Sequence, residues 1–391
     1  MPNQPKEEWP PVIMVENAEQ LQVALEEWES ADLVGLDTES NSFFAYTDRL
    51  CLLQVSANGK DWIVDPIALG EDLKMIKGFL EDPEQVVIFH AAEYDLMLIK
   101  ADLGAEIKGL FDTQVAMTLL GSKKTGLAAL LEDYYGVCVS KKYQRSDWGK
   151  RPLSDGQLEY ARTDTRFLPD VYGKLMAKLE AANMVVALEG DCLRQEQEIL
   201  SPRVPNMEGW RKLKQARGLD ASAKARLRAL FQWRETTAQK RDVPVFRVLA
   251  NDALGELARH PPKSMKDLAD RKGVGWKVAK RYGDPILNAL RAVEGQEIQE
   301  KPQEKVDRAE RERRRIVREN KEALKNWRKK MAQSLDLPSE RLMHRRHLEE
   351  LASKLPRTSE ELLRTIPMND WQRETLESSL LVVLENLPAP Q

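Results

Sequence analysis

The sequence predicts a mixed α/β domain followed by two related all-α domains. Three observations carry that prediction. Apolar runs of strand length lie between residues 32 and 90 and give way to segments of helical period. The strand signal ends near residue 205, and the chain beyond it repeats itself at a fixed shift.

Residues 32–38 (DLVGLDT), 50–56 (LCLLQVS), 61–65 (DWIVD) and 86–90 (VVIFH) are the predicted strands. Asn58-Gly59, between the second and third, is a hairpin turn signal, because both residues tolerate positive φ. Helical periodicity is predicted over Glu71–Leu80, Ala92–Ala101, Thr113–Leu120, Leu127–Tyr135 and Ser154–Leu179. Strands in a meander, then helices interleaved with strands, give a mixed sheet with helices packed on it.

In the second half, Trp233-Arg234 recurs as Trp327-Arg328, a shift of 94. The same shift carries Pro244 onto Pro338, Leu254 onto Leu348, Leu257-Ala258 onto Leu351-Ala352, Pro262 onto Pro356 and Leu268 onto Leu362. Domain boundaries are therefore expected at 1–205, 206–295 and 296–391, with the copies spanning roughly 208–295 and 304–388. The charged stretch Gln296–Arg318 is expected to link them and merge into the first helix of the second copy.

Composition narrows the function classes. Hydrophobic residues make up 42% and charged residues 31%, as in folded globular proteins. A net charge of −3 gives no global attraction to nucleic acid, so any such binding needs local basic patches. Cys51, Cys138 and Cys192 are far apart and form no CxxC pair, which excludes a disulfide framework and fits a reducing cytoplasm. No run of about 18 apolar residues occurs, and MPNQPKEEWPP has no apolar signal core, so neither a membrane span nor secretion is expected. His90, His260, His344 and His347 fall in no zinc pattern, and GxxxxGK[ST], GxSxG and HExxH are absent.

The chemistry is expected from carboxylates. Asp37 and Glu39 stand two residues apart at the end of a strand, so the period of two points both to one face. Asp95 follows the VVIFH run just inside a helix, and Asp164 lies one helical turn after Tyr160, on the same face. Each carboxylate alone reads more readily as surface charge or a helix cap. Together they form a hard-oxygen set suited to Mg²⁺ or Mn²⁺. Two such ions can bind the attacking water and the leaving oxygen of a phosphodiester at once.

DTE at 37–39, HxxxxD at 90–95 and YxxxD at 160–164 match the three motifs of the DEDD exonuclease superfamily, in its tyrosine branch. RSDWGKRPL (145–153) and FDTQ (111–114) narrow the match, and the chain resembles the ribonuclease D family. Its repeats resemble tandem HRDC domains. The resemblance covers nearly the whole length; residues 40–49 (SNSFFAYTDR) depart from the commonest form. It implies a ribonuclease H-like mixed-sheet exonuclease domain before two HRDC helical domains. It also implies a pair of divalent ions (Mg or Mn), with Asp37, Glu39 and Asp164 holding one. Asp37 would be shared with the second, and Asp95 would complete the set. Tyr160 would orient the attacking water; a phenol with pKa near 10 is a poor base. The implied activity is 3′→5′ hydrolysis of RNA ends, releasing 5′-nucleotides, by a monomer in the cytoplasm. Its implied substrates are tRNA precursors with 3′ extensions.

For substrate contacts, Phe43, Phe44 and Tyr46 follow the first motif and could stack on terminal bases. His90 is counted with them. Lys141, Arg145 and Arg151 flank a Trp148-containing loop and could meet phosphates. Trp233 and Trp327 read as anchors of the helical cores. The segment KGVGWKVAKRYG (272–283) combines a glycine turn with a basic helix start, whereas the second copy reads PMNDWQRETLES, so the first copy is the better candidate for nucleic-acid contact. Two other functions stay open. One is a DNA-directed 3′→5′ exonuclease, although no polymerase segment is present. The other is a non-catalytic RNA-binding scaffold, against which the intact carboxylate set argues.

Overall fold

The computed structural model describes residues 9–201, 205–299, 307–343 and 345–390. Contacts gather the described residues into two compact units: those of 9–39, 50–201 and 307–390 in one, those of 40–49 and 205–299 in the other.

The first unit is built on a six-stranded sheet in the order β1-β4-β3-β2-β5-β6. Its strands are β1 (Ile13–Val15), β2 (Leu33–Ser40), β3 (Leu50–Ala57), β4 (Lys60–Val64), β5 (Val86–Phe89) and β6 (Leu110–Asp112). The sheet is mixed. β3 and β4 pair antiparallel with Leu53 opposite Val64 and Ala57 opposite Lys60, while β1 with β4, β2 with β5 and β5 with β6 run parallel. Between Ala57 and Lys60, Asn58 and Gly59 adopt φ of 47° and 75°, the double left-handed turn their side chains favour. β1 and β6, three residues each at opposite edges, are too short for a period of two to show in the sequence.

Every residue of β3 is buried, as expected of a strand covered on both faces. The helices are α1 (Ala18–Glu29), α2 (Glu93–Leu103), α3 (Thr113–Leu119), α4 (Leu127–Tyr135), α5 (Asp155–Thr165), α6 (Leu168–Ala181) and α7 (Val185–Gln197). The single helix expected over 154–179 is thus two, α5 and α6. Pro169 sits in the first turn of α6, where its missing N–H costs nothing; inside one continuous helix it would delete a hydrogen bond and clash. Likewise 71–80 is not one helix but a 3₁₀ segment, Gly70–Ile76, followed by the single turn Lys77–Leu80. Trp28 of α1 is fully buried, edge-on to Trp62 at 5.9 Å and beside Phe79 at 5.8 Å, and ties α1 to the sheet.

The second helical copy belongs to this same unit. It comprises α12 (Arg308–Ser334), α13 (Arg345–Lys354), α14 (Ser359–Thr365) and α15 (Asp370–Glu385). Residues 300–306 of the charged stretch and His344 lie outside the described residues; from Arg308 onward the stretch is the first helix of the copy. α15 packs on α7. Gly190 there permits the approach, since a Cβ would stand 2.1 Å from Asn369 Nδ2. Asp191 of α7 pairs with Arg341 at 3.6 Å, and Glu198 with Arg346.

The second unit contains α8 (Ala221–Lys240), α9 (Asn251–Arg259), α10 (Met265–Asp270) and α11 (Gly275–Arg291), around a core of Trp210, Leu227, Leu230, Leu254, Leu257 and Ile286. The leucines and alanines repeated at a shift of 94 are core positions in both copies. Leu254 and Leu348, Leu257 and Leu351, Ala258 and Ala352, and Leu268 and Leu362 are all inaccessible. The repeat is a repeat of packing. Trp233 packs edge-on to Tyr282 at 5.8 Å, and Trp327 is buried with its Nε1–H donating to Ser379.

Candidate active site

β2 supplies the first two carboxylates. Asp37 and Glu39 share a face with Gly35, as the period of two requires. Gly35 is a glycine for a reason of space: a Cβ there would lie 2.8 Å from the Thr165 carbonyl and 3.1 Å from Leu168 Cβ. Its absence lets the junction of α5 and α6 lie directly on β2 and brings Asp164 beside Asp37 and Glu39.

α5 is fastened on its other side. Asp61 of β4 accepts hydrogen bonds from Arg162 (2.8 and 3.2 Å) and Arg166 (2.5 Å), and Ser56 bridges Asp61 (2.8 Å) and Thr165 (2.7 Å). Tyr160 and Asp164, one turn apart, face the carboxylates of β2 and hydrogen-bond to each other. The ring of Trp148, itself buried, lies 6.0 Å from that of Tyr160, and Tyr143 lies 6.4 Å away. The RSDWGKRPL loop therefore backs the tyrosine.

Asp95 arrives from α2 and is pinned to the strand between the other two acids. Its Oδ1 accepts from the Thr38 N–H at 3.1 Å and from the Thr38 hydroxyl. Upstream of α2, Ala91 takes φ of 66°, and Asp112 holds that turn by accepting from the N–H groups of Ala91 and Ala92, each at 3.0 Å.

Burial and neighbouring carboxylates raise all four carboxyls. Burial, then Asp95, Asp164 and Glu39, push Asp37 well above the usual carboxylate range. Burial with repulsion from Asp164 and Asp95 lifts Glu39 to about 9, and burial foremost lifts Asp95 and Asp164 to about 7 each. Tyr160 is driven above its ordinary 10 by burial and by Asp164, Glu39 and Asp37. No lysine or arginine is among the causes for any of the five. Among the described residues no group of three or more His, Cys, Asp or Glu side chains is drawn up to metal-holding distance. Four hard oxygen donors whose charged forms are disfavoured by burial and by neighbouring carboxylates fit a site for divalent cations, whose charge would relieve that repulsion.

The expected substrate contacts divide. Arg151 is spoken for: all five of its N–H groups donate, to Asp65 (2.5 and 2.7 Å) and to the carbonyls of Trp148, Lys150 and Cys51. It anchors the loop and has no donor left for phosphate, so the expectation placed on it gives way. Burial would raise Asp65, but the hydrogen bonds and charge of Arg151 hold its carboxyl below the ordinary value. Tyr46 likewise does not present a ring for stacking. It is buried in the core of the second unit, its hydroxyl donating to Glu235 at 2.9 Å and its N–H to Asp242 at 3.1 Å. Phe44 lies 4.3 Å beneath the Arg247 guanidinium, and Phe43 is exposed. Lys141 and Arg145 are exposed.

His90 is half-buried, with Nδ1 2.9 Å from Thr113 Oγ1. The Thr113 hydroxyl also donates to the Phe89 carbonyl at 3.0 Å, and His90 Nε2 is buried. Burial lowers its pKa.

Sequence reasoning missed Thr38, Gly35 and the Asp61–Arg162–Arg166 fastening. A glycine inside an apolar strand run signals a close approach and could have pointed to Gly35. Nothing in the sequence singles out Thr38.

A profile described as 3′-5′ exonuclease matches residues 12–180, and an HRDC domain profile matches 223–290 and 320–383. The chain is 30% identical over 363 residues to ribonuclease D of Xanthomonas oryzae, covering 90% of this chain and 93% of that one. It is 31% identical over 265 residues, 66% of its length, to the Drosophila melanogaster homolog of exosome complex component 10. With the Saccharomyces cerevisiae exosome complex exonuclease RRP6 it is 30% identical over 300 residues, 72% of its length. It spans only 29% and 41% of these two longer relatives. The crystal structure of Escherichia coli RNase D shares the fold, with a TM-score of 0.66 at 24% identity, covering 97% of this chain and all of that one. The chain belongs to the ribonuclease D family of 3′→5′ exoribonucleases.

Proposed function

We propose that the chain shortens RNA from its 3′ end by hydrolysis, releasing 5′-nucleotides, with tRNA precursors bearing 3′ extensions as substrates. The observation that carries this reading is the electrostatic convergence of Asp37, Glu39, Asp95 and Asp164 with Tyr160 hydrogen-bonded among them. The family generally uses divalent metals. When bound, two such ions, Mg or Mn, supply an activated water and a counter-charge for the leaving oxygen.

Asp37, Glu39 and Asp164 would hold one ion, and Asp37 with Asp95 the other. The chain's own groups do the rest. Thr38 fixes the rotamer of Asp95 through backbone and hydroxyl. Tyr160 stays a neutral phenol at neutral pH, so it orients water by hydrogen bond and is no base for it. Trp148 and Tyr143 hold the Tyr160 ring in place. Lys141 and Arg145 are exposed beside the Trp148 loop, where cations can meet phosphates.

The working unit is proposed to be a monomer. Its cysteines are free, and no helix of the described residues is long and apolar enough to cross a membrane. Both fit the cytoplasm. The test is purified protein with Mg²⁺ and a 5′-labelled tRNA carrying a short 3′ tail, in competition with single-stranded DNA. Stepwise shortening of the RNA, lost in Asp37→Ala, is expected. No shortening by the wild type, or undiminished shortening by Asp37→Ala, refutes the proposal; preference for the DNA redirects it.

A further inference from the structure

The two helical copies start their last helix alike and use that start differently. Trp276 is the second residue of α11, and Trp371 is the second residue of α15. In the second copy this end of the module is consumed by packing. Trp371 is 9% exposed, its neighbour Asn369 presses on Gly190 of α7, and Gln372 donates to the Leu342 carbonyl at 3.0 Å. In the first copy Trp276 is 60% exposed, a rare state for so large an apolar ring.

The charges around the two tryptophans are opposite in sign. Residues 271–284 carry five basic side chains and one acid, Asp284, whereas residues 366–379 carry three acids and one base, Arg373. Lys272, Lys277, Lys280 and Arg281 are all exposed. Among the described residues none of these four is in an ion pair. Arg271 is the exception in the segment, paired with Asp267 at 2.8 Å. Trp276 and Lys280 are one turn apart, as are Lys277 and Arg281, so cations flank the indole along the helix. The backbone before the helix is set by Gly273 and Gly275, at φ of 82° and 68°.

We infer that the Trp276 end of α11 is a stacking platform for single-stranded RNA. An exposed indole with unpaired lysines beside it is what a strand of bases and phosphates requires: a π-face for one base, cations for the phosphates on either side. The acidic, buried equivalent in α15 is unsuited to a polyanion. Duplication of the module has thus separated two roles: the second copy's end docks on the nuclease domain and the first copy's end is left for the strand. The platform deepens the ribonuclease reading and rests on it for its substrate.

The test uses the full chain and oligoadenylates of about 4 and about 20 nucleotides. In EDTA, where nothing is cleaved, fluorescence anisotropy reads binding directly. Trp276→Ala is expected to weaken the long oligomer about 10-fold or more, and Trp276→Phe to restore part of it. Lys277→Glu with Lys280→Glu is expected to weaken it further and to flatten the dependence of log Kd on log salt by about two phosphate contacts. The short oligomer is expected to be unaffected. With Mg²⁺, the same variants should raise KM for the long substrate and leave kcat within about twofold. Equal anisotropy curves for wild type, Trp276→Ala and the double lysine variant overturn the platform. Absence of cleavage by the wild type overturns the nuclease reading instead and leaves the anisotropy result standing. All these side chains are exposed, so an unchanged melting temperature is the control for folding.

Discussion

Replacing Glu39 by glutamine should make the metal-free protein more stable while disabling it. Glu39 is lifted from its ordinary 4.5 to about 9 by burial and by the repulsion of Asp164 and Asp95. A carboxyl whose folded pKa lies above its unfolded one binds its proton more tightly in the folded state. Its contribution to stability is therefore complete below pH 4.5 and is lost as pH rises toward 9. Each pH unit in that window removes about 1.4 kcal/mol. At pH 8, with the charge shared among four coupled acids, the deficit is about 2–5 kcal/mol. Glutamine keeps the shape and cannot ionise. In EDTA at pH 8, Glu39→Gln should melt several degrees above the wild type, at about 2–4 °C per kcal/mol for chains of some 200 residues. At pH 4.5 the two should melt together. Added Mg²⁺ should reverse the order by stabilising the wild type alone, since it binds the folded carboxylates. RNA shortening should fall at least about a hundredfold, the scale for losing even an outer partner of a metal site. The assay is a pair of melting curves at each pH, with and without Mg²⁺. A variant less stable than the wild type in EDTA at pH 8, or equally stabilised at pH 4.5, would refute the reasoning.

Three further outcomes follow from the geometry. Tyr160→Phe should lower kcat by about 10²-fold or more with little change in KM, because the hydroxyl orients water and the ring stays packed on Trp148; an unchanged single-turnover rate would contradict this. Arg151→Ala should destabilise the protein by about 3–5 kcal/mol, seen as a lowered urea midpoint, because it strands Asp65 without its partner. The loss should also shrink as pH falls below the ordinary Asp value, where Asp65 takes up a proton: the arginine holds its pKa down, so that stabilisation is present only above it. Gly35→Ala should cost about 1–3 kcal/mol and depress activity, since the added methyl meets the Thr165 carbonyl and pushes α5 and its Asp164 away from β2; a melting curve and a cleavage assay check it.

The legible part of this molecule was the part written in periodicity and motif. Strands β2 to β5 and the Asn58-Gly59 hairpin were expected where they stand, because long apolar alternation and a double positive-φ turn leave local marks. The duplicated module was legible because its repeated leucines are the same core positions twice. β1 and β6 were not, since three residues at a sheet edge have too little length to show a period. The break between α5 and α6 was missed because apolar spacing continues across it; Pro169, read as a helix start, would have revealed it.

At the site, the five chemical groups were named from their spacing, and the structure brings them within mutual influence. The substrate residues fared unevenly because proximity in sequence to a motif says nothing about burial. Tyr46 and Arg151 stand in the same short segments beside the motifs as Phe43 and Arg145. The first is bound up in a helical core, and the second spends two donors on Asp65 and three on backbone carbonyls. Thr38, which fixes Asp95, is a contact between residues 57 apart in sequence, beyond any local signal.

The central claim is that Asp37, Glu39, Asp95 and Asp164 together hold a pair of divalent ions. An anomalous difference map from a crystal soaked in Mn²⁺ tests it most directly. Two peaks are expected, one against Asp37, Glu39 and Asp164 and one against Asp37 and Asp95. An empty map at these side chains, with manganese found elsewhere or nowhere, would contradict the account.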